Sequence, residues 1–400
     1  VRGQGSGVPR RVVDIDSREV ADPETVVRRF VAMGAHLYFP GLSGTTGVEL
    51  FRTGIQTAKV ELVKDIAVGV RSSDPFGLSV VGNRLFFFAS SVTAGFELWM
   101  SDGTGSGTAL VKDIYPGLAS SLVPNYRAPA AIGELNGSLL FGAEDGAGAY
   151  GLWSSDGTAV GTVRLMTLGS WSGRTPLEQF VSAGQYACFV LPDATIQGSR
   201  VWITDGTTIG TRSVLALPNV STATGSRVEL HLVKTTVFVV MNGYLWTIDA
   251  NAVAAAPIVQ GSGMVHSGLG SLPEPNNPQR WVFYFSAGTQ LWKSDGTVLG
   301  TGLFYPLGAV GILNSYRQNV AHANGRMFFF GFDLPHGEEV WSSNGTRIGT
   351  EVVTDIRKGP LGSVGKSTGS GELLSSGQLI FVAADDGSLG VELYSTDGTS

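Results

Sequence analysis

The sequence predicts an all-β fold: an eight-bladed β-propeller with four-stranded antiparallel blades, the last blade closed by the N-terminal strand. Three observations predict it. An aromatic-centred motif recurs eight times, each copy sits among further strand-like runs, and the two chain ends carry complementary parts of one blade. Repetition at a period of about 20–50 residues marks stacked or radial architectures, and short, evenly spaced strands favour the propeller.

The motif centres are Phe51, Trp99, Trp153, Trp202, Trp246, Trp292, Trp341 and Tyr394, a period near 50. Its fullest copy, Glu97 to Ile114, reads ELWMSDGTGSGTALVKDI. Three residues after the aromatic stands Asp102, Asp156, Asp205, Asp249, Asp295, Asn344 or Asp397, with Gly54 the exception. Asp-Gly there signals a hairpin, because Gly accepts positive φ and the Asp side chain accepts a bond from a nearby backbone N–H. Sugar or metal binding is the other reading of these turns. The Trp residues, mid-strand and flanked by apolar neighbours, read as inter-blade core rather than as a stacking platform for sugars.

Taken from the N-terminus, Val1 to Arg10 is Gly-rich and linker-like, and 11–16 is the closing strand of a single domain spanning 1–400. A first strand precedes most of the second ones, as in Val26 to Met33, Gly77 to Val81 and Val228 to Val233. Second strands run through His36 to Phe39, Arg84 to Phe88, Ser138 to Phe141, Tyr186 to Val190, Val237 to Met241, Trp281 to Phe285, Met327 to Phe330 and Leu379 to Val382. The aromatic motif is the third strand. The fourth follows the hairpin, as in Leu62 to Ile66, Leu110 to Ile114 and Val352 to Ile356. After Asp397-Gly398-Thr399 the chain stops, and Val12-Val13-Asp14-Ile15 matches the missing Val-x-Asp-Ile ending. Joining these ends leaves no open sheet edge.

The copies at Glu97 to Thr108, Gln290 to Thr301 and Glu339 to Thr350 resemble the bacterial ELWxxDGT repeat family. The resemblance covers essentially the whole chain and implies an exported bacterial protein, without implying an activity. Lys59 and Ala254 depart from it where other copies have the second Gly.

Composition narrows the classes. With 56 Gly among 400 residues and 15% charged residues, against about 25% in ordinary domains, the chain is built of turns and strands. Hydrophobic residues reach 43%, enough for a large core. A net charge of −6 and a pI near 5.4 argue against nucleic-acid and anionic-membrane partners. No apolar run approaches the roughly 18 residues of a membrane span. Cys188, the single cysteine, permits no internal disulfide and reads as a buried small hydrophobe. Neither a signal nor a transit peptide opens the chain, so export requires one already removed. Asn-x-Ser/Thr occurs at Asn136, Asn219 and Asn344 and matters only in a eukaryotic secretory pathway.

Four blades carry a Glu at the motif start and an Asp sixteen residues later: Glu49 with Asp65, Glu97 with Asp113, Glu339 with Asp355, and Glu392 with Asp14. Placed on adjacent strands, the like charges repel. His36, Arg84, Arg326 and Gln378 start the neighbouring strand, so a buried Arg–carboxylate network offsets the repulsion. The alternative is calcium held by Glu97, Asp113, Glu339 and Asp355. No other cofactor is expected.

The five histidines are scattered singly, and no catalytic triad or metal spacing can be read from them. Ligand chemistry is expected where the repeats differ. Aligned on the strands, Arg29, Gln179, Glu229 and Asn319 are equivalent, with His231 two residues on and Arg227 and Arg317 just before. These seven are the candidate site at a channel mouth, a solvated rim being the plainer reading. Glu144 to Tyr150, Pro192 to Arg200, Leu272 to Arg280 and Asp333 to Glu338 are irregular insertions and further candidate contact surfaces. The expected function is a monomeric, non-enzymatic secreted or cell-surface module that binds a glycan or protein. The alternative is a carbohydrate-active enzyme, lyase or hydrolase, with Glu229, His231 and Arg317 as base and charge-neutralising groups.

Overall fold

A computed structural model of the chain describes residues 30–54, 59–122, 131–147, 150–169, 179–218, 228–241, 243–249, 254–259, 265–287, 290–306, 320–364, 373–388 and 391–398. The chain is an eight-bladed β-propeller of antiparallel blades: 31–64, 76–112, 131–169, 180–217, 228–259, 265–305, 320–352 and 373–396. Blade 2 shows the plan, with strands Phe76–Val81, Arg84–Ala89, Glu97–Ser101 and Ala109–Lys112 paired in sequence order. Among the described residues blade 8 has three strands. The expected closing segment Val12 to Ile15 lies outside them.

Contacts divide the chain into two compact units, Val1–Glu178 with Thr204–Arg212, and Gln179–Ile203 with Ser213–Ser400. Within each, first strands of successive blades run side by side and are the innermost, as in blades 1 and 2 or 5 and 6. Second strands are the most buried, because alternate side chains leave opposite faces into two different seams. Leu85 and Phe87 pack toward blade 1, while Phe86 and Phe88 pack toward blade 3. In the second unit Phe329 joins the blade 6–7 cluster and Phe328 the blade 7–8 cluster. Trp99, Trp153 and Trp341 belong to these seams, as expected of core rather than platform.

The hairpin after the third strand is fixed by its own side chains. Asp102 Oδ1 accepts the Thr104 N–H at 2.8 Å and the Thr104 hydroxyl at 2.7 Å. The Thr104 hydroxyl in turn accepts the Gly107 N–H, and the Thr108 hydroxyl donates to the Thr104 carbonyl. Blades 3, 4, 6 and 7 repeat this with Asp156, Asp205, Asp295 and Asn344. Gly103, at φ +95°, holds a left-handed conformation that a side chain would strain. At the tip, just before the second Gly, Val160, Ile209, Leu299 and Ile348 are 90–100% exposed.

Fourth strands end earlier than expected: Val60–Lys64, Ala109–Lys112 and Thr350–Val352 all stop before the Asp-Ile pair. The reason is a side chain on the third strand.

Candidate functional site

The repeated glutamates are clamps on the connectors between blades. Glu49, fully buried, accepts the N–H groups of Ile66 at 3.0 Å, Ala67 at 3.1 Å and Ser73 at 3.1 Å, with the Ser73 hydroxyl at 2.5 Å. Glu97 accepts those of Ile114 at 2.9 Å, Tyr115 at 3.3 Å and Ser121 at 3.0 Å. Glu339 takes the Arg357 N–H at 3.3 Å and the Ser363 hydroxyl at 2.5 Å. The same serines carry the link onward, their carbonyls accepting the N–H of Ser90, Glu144 and Asp385 in the next blade. Burial nevertheless pushes the Glu97 carboxyl up to about 7.

This corrects the expected arginine network. Arg84 donates instead to the carbonyls of Asp156 and Gly137 in blade 3, and Arg326 to Ser342, Gly349 and Glu351 within blade 7. The aspartates are bonded locally through one oxygen, while the other oxygen of Asp65 and of Asp355 is buried without a partner among the described residues. Asp65, Asp113 and Asp355 each accept an N–H four residues on, from Gly69, Gly117 and Gly359. Nor do Glu97 with Asp113, or Glu339 with Asp355, form a calcium cage: the glutamate oxygens already hold the chain's own donors. Among the described residues no three His, Cys, Asp or Glu side chains converge on one ion position.

Of the seven candidate channel residues, Arg29, Arg227, Arg317 and Asn319 lie outside the described residues. Gln179 is half-buried ahead of blade 4, its carbonyl accepting the Val190 N–H at 3.2 Å. Glu229 and His231 come together, but in the seam between blades 5 and 6 and not at a channel mouth. They leave the same face of strand Val228–Val233 as Val233, which packs against blade 6, so a one-residue shift of register would turn them away. Glu229 is 2% exposed. Its carboxylate accepts the Ser267 hydroxyl at 2.8 and 2.9 Å, the Gly268 N–H at 2.8 Å and a hydrogen bond from the His231 Nε2 side at 3.0 Å. Burial raises this carboxyl, and His231, Gly268 and Ser267 together outweigh burial and hold it below its ordinary value. The His231 ring stands where a side chain at 268 would be, 2.2 Å from the position of a Cβ, and tilts against Phe283. His, Glu and Ser are all present, yet the serine is bonded to the carboxylate and not to the imidazole. That order does not activate a hydroxyl nucleophile.

A second place was legible only as an insertion. Blade 6 has long first and second strands, Val265–Glu274 and Asn277–Ala287, and a third strand, Gln290–Ser294, that ends opposite Phe283. The ends of the long hairpin therefore run past the third strand and overhang its turn. Beneath them lies a groove of 320 Å³ with Val282, Leu299 and Leu303 among its apolar walls and Glu274, Arg280, Lys293 and Asp295 as its charges. Arg280 is paired with both Asp295 and Glu274, the latter at 3.3 Å. Lys293 stands 5.6 Å over the Phe304 ring and has no hydrogen bond or ion pair among the described residues.

No family model matches the chain, and no curated protein matches it. Among solved structures it is similar to a Mycobacterium tuberculosis puromycin-hydrolyzing peptidase, at 10% identity over 89% of this chain and 48% of that one, TM-score 0.37. It is similar to Porphyromonas gingivalis dipeptidyl peptidase 4, at 9% identity over 92% and 57%, TM-score 0.47. A eukaryotic initiation factor is similar at 7% identity over 95% and 90%, TM-score 0.45. The chain spans about half the length of the two peptidases. The expected non-enzymatic glycan- or protein-binding module, with its carbohydrate-active alternative, is corrected by this finding: the similar chains include peptidases. The residues expected to carry that function, Glu229 and His231, are also packed in a seam.

Proposed function

We propose that this propeller holds peptides for hydrolysis, as the substrate-handling part of a peptide-processing protein. The groove on blade 6 carries the reading. Convergent polar groups in a partly apolar concavity are the usual mark of a binding place, and here the lining is mainly polar with an aliphatic portion made by Val282, Leu299 and Leu303. Aliphatic walls suit an apolar amino-acid side chain, whereas a sugar face calls for an exposed ring. The Ser267–Glu229–His231 order does not activate a hydroxyl nucleophile, so the reading is one of holding the peptide and assigns the cleaving groups to no residue. Membership of the ELWxxDGT repeats and an exported setting belong to the same proposal.

The test is fluorescence anisotropy of labelled peptides of about eight residues, run beside an oligosaccharide array, on the parent and on Lys293→Ala. Peptides retained by the parent and weakened in the variant support the reading. Retention of oligosaccharides alone defeats it.

A further inference from the structure

We infer that the blade 6 groove takes a short peptide with both termini free, its carboxylate on Lys293 and its ammonium on Glu274. This rests on the peptide-handling reading and names the substrate class for that place.

Three features of the groove lead there. The first is the state of its charges. Arg280 is already shared between Glu274 and Asp295. Asp295 is also occupied by the Thr297 N–H at 2.9 Å and hydroxyl at 2.7 Å, so neither oxygen is left. Among the described residues Glu274 receives Arg280 through one oxygen only, at 3.3 Å, which leaves the other for a ligand. Lys293 has three N–H donors and, among the described residues, only the Phe304 ring as partner. An ammonium held over an aromatic face but lacking an acceptor is placed for an anion.

The second feature is balance. Two acids and two bases make the groove neutral, so a ligand with one charge at one end would leave the opposite one uncompensated. A zwitterion answers both. Lys293 lies on the third strand and Asp295 just past its end in the hairpin turn, and Arg280 carries the acidic end on to Glu274. The charges are thus separated along the groove, as the termini of a peptide are.

The third is size. At 320 Å³ the groove is at the small end of ligand pockets, which begin near 300 Å³. It suits two or three residues, with an aliphatic side chain against Val282 and Leu303.

Titration calorimetry of leucyl-leucine, its N-acetyl form and its C-terminal amide against the full chain tests this. We expect each blocked form to bind at least about tenfold more weakly than the free dipeptide. Lys293→Gln should lose the distinction between acid and amide, and Glu274→Gln that between amine and acetyl, with melting temperatures matching the parent. Equal binding of all forms by the parent overturns the inference, and that comparison needs no variant. Blocked octapeptides bound without any dipeptide binding overturn it too, while leaving the peptide reading intact. If neither class binds, both fall.

Discussion

Glu97 shows how one side chain can set the course of a connector. Its carboxylate replaces a strand's worth of partners for Ile114, Tyr115 and Ser121, so the fourth strand stops at Lys112. We expect Glu97→Ala to cost about 3 kcal/mol, because buried N–H groups left without acceptors cost about 1–3 kcal/mol each and water recovers only part. Urea denaturation would measure it, and an unchanged midpoint would show that the clamp is dispensable. Its pH dependence has a definite sign. With the folded value raised from 4.5 to about 7, the folded protein keeps a proton the unfolded chain releases between those pH values. Stability from this group is therefore highest below pH 4.5 and declines as pH rises through 7, by about 3 kcal/mol in all. Glu97→Gln should remove that decline from the difference between pH 5 and pH 8. The glutamate and aspartate were visible in the sequence, but their partners were not. Ser121 is 24 residues from Glu97, and a contact to backbone N–H leaves no side-chain signature. Arg84 was assigned to the wrong blade because strand adjacency does not tell which seam a long side chain enters.

At the level of the element, the turns and the innermost strands behave differently. The Asp-Gly-Thr hairpin was readable because its bonds are local: Asp102, Thr104 and Thr108 all lie within seven residues. Thr104→Val removes both its donor and its acceptor and should cost about 1 kcal/mol, measurable as a lower melting temperature. The blade 6 first strand was not readable in this way. Its register shifts between Val265 and Ser267 and between Gly268 and Gly270, and those irregularities bring Ser267 and Gly268 onto Glu229. Strand Val228–Val233 itself alternates evenly, but alternation alone does not tell which face is the seam, so Glu229 and His231 were assigned to the channel. Gly268→Ala places a methyl on the His231 ring, and we expect a loss of about 2 kcal/mol from overpacking. Combining it with His231→Ala should recover part of that loss in a double-mutant cycle. Additive losses would mean that the ring moves aside.

For the whole molecule, the seams between neighbouring blades carry the core, and each second strand serves two of them. Phe87→Ala and Phe86→Ala should cost about 3–5 kcal/mol each, yet loosen different neighbours. Hydrogen exchange should rise in blades 1 and 2 for the first and in blades 2 and 3 for the second; identical patterns would refute the division into seams. Eight blades were legible because repetition multiplies a weak signal, whereas the blade 6 groove, occurring once, showed only as the insertion Leu272 to Arg280. The exposed tips of the hairpins have a practical consequence. Since each turn is held from within, the residue before its second Gly has no structural duty, and Cys188, the chain's only thiol, is buried with its ionisation pushed up to about 12. A cysteine introduced at Val160, Ile209 or Ile348 should take up a maleimide dye within minutes while Cys188 stays unmodified, giving a reporter on a chosen blade without disturbing the fold.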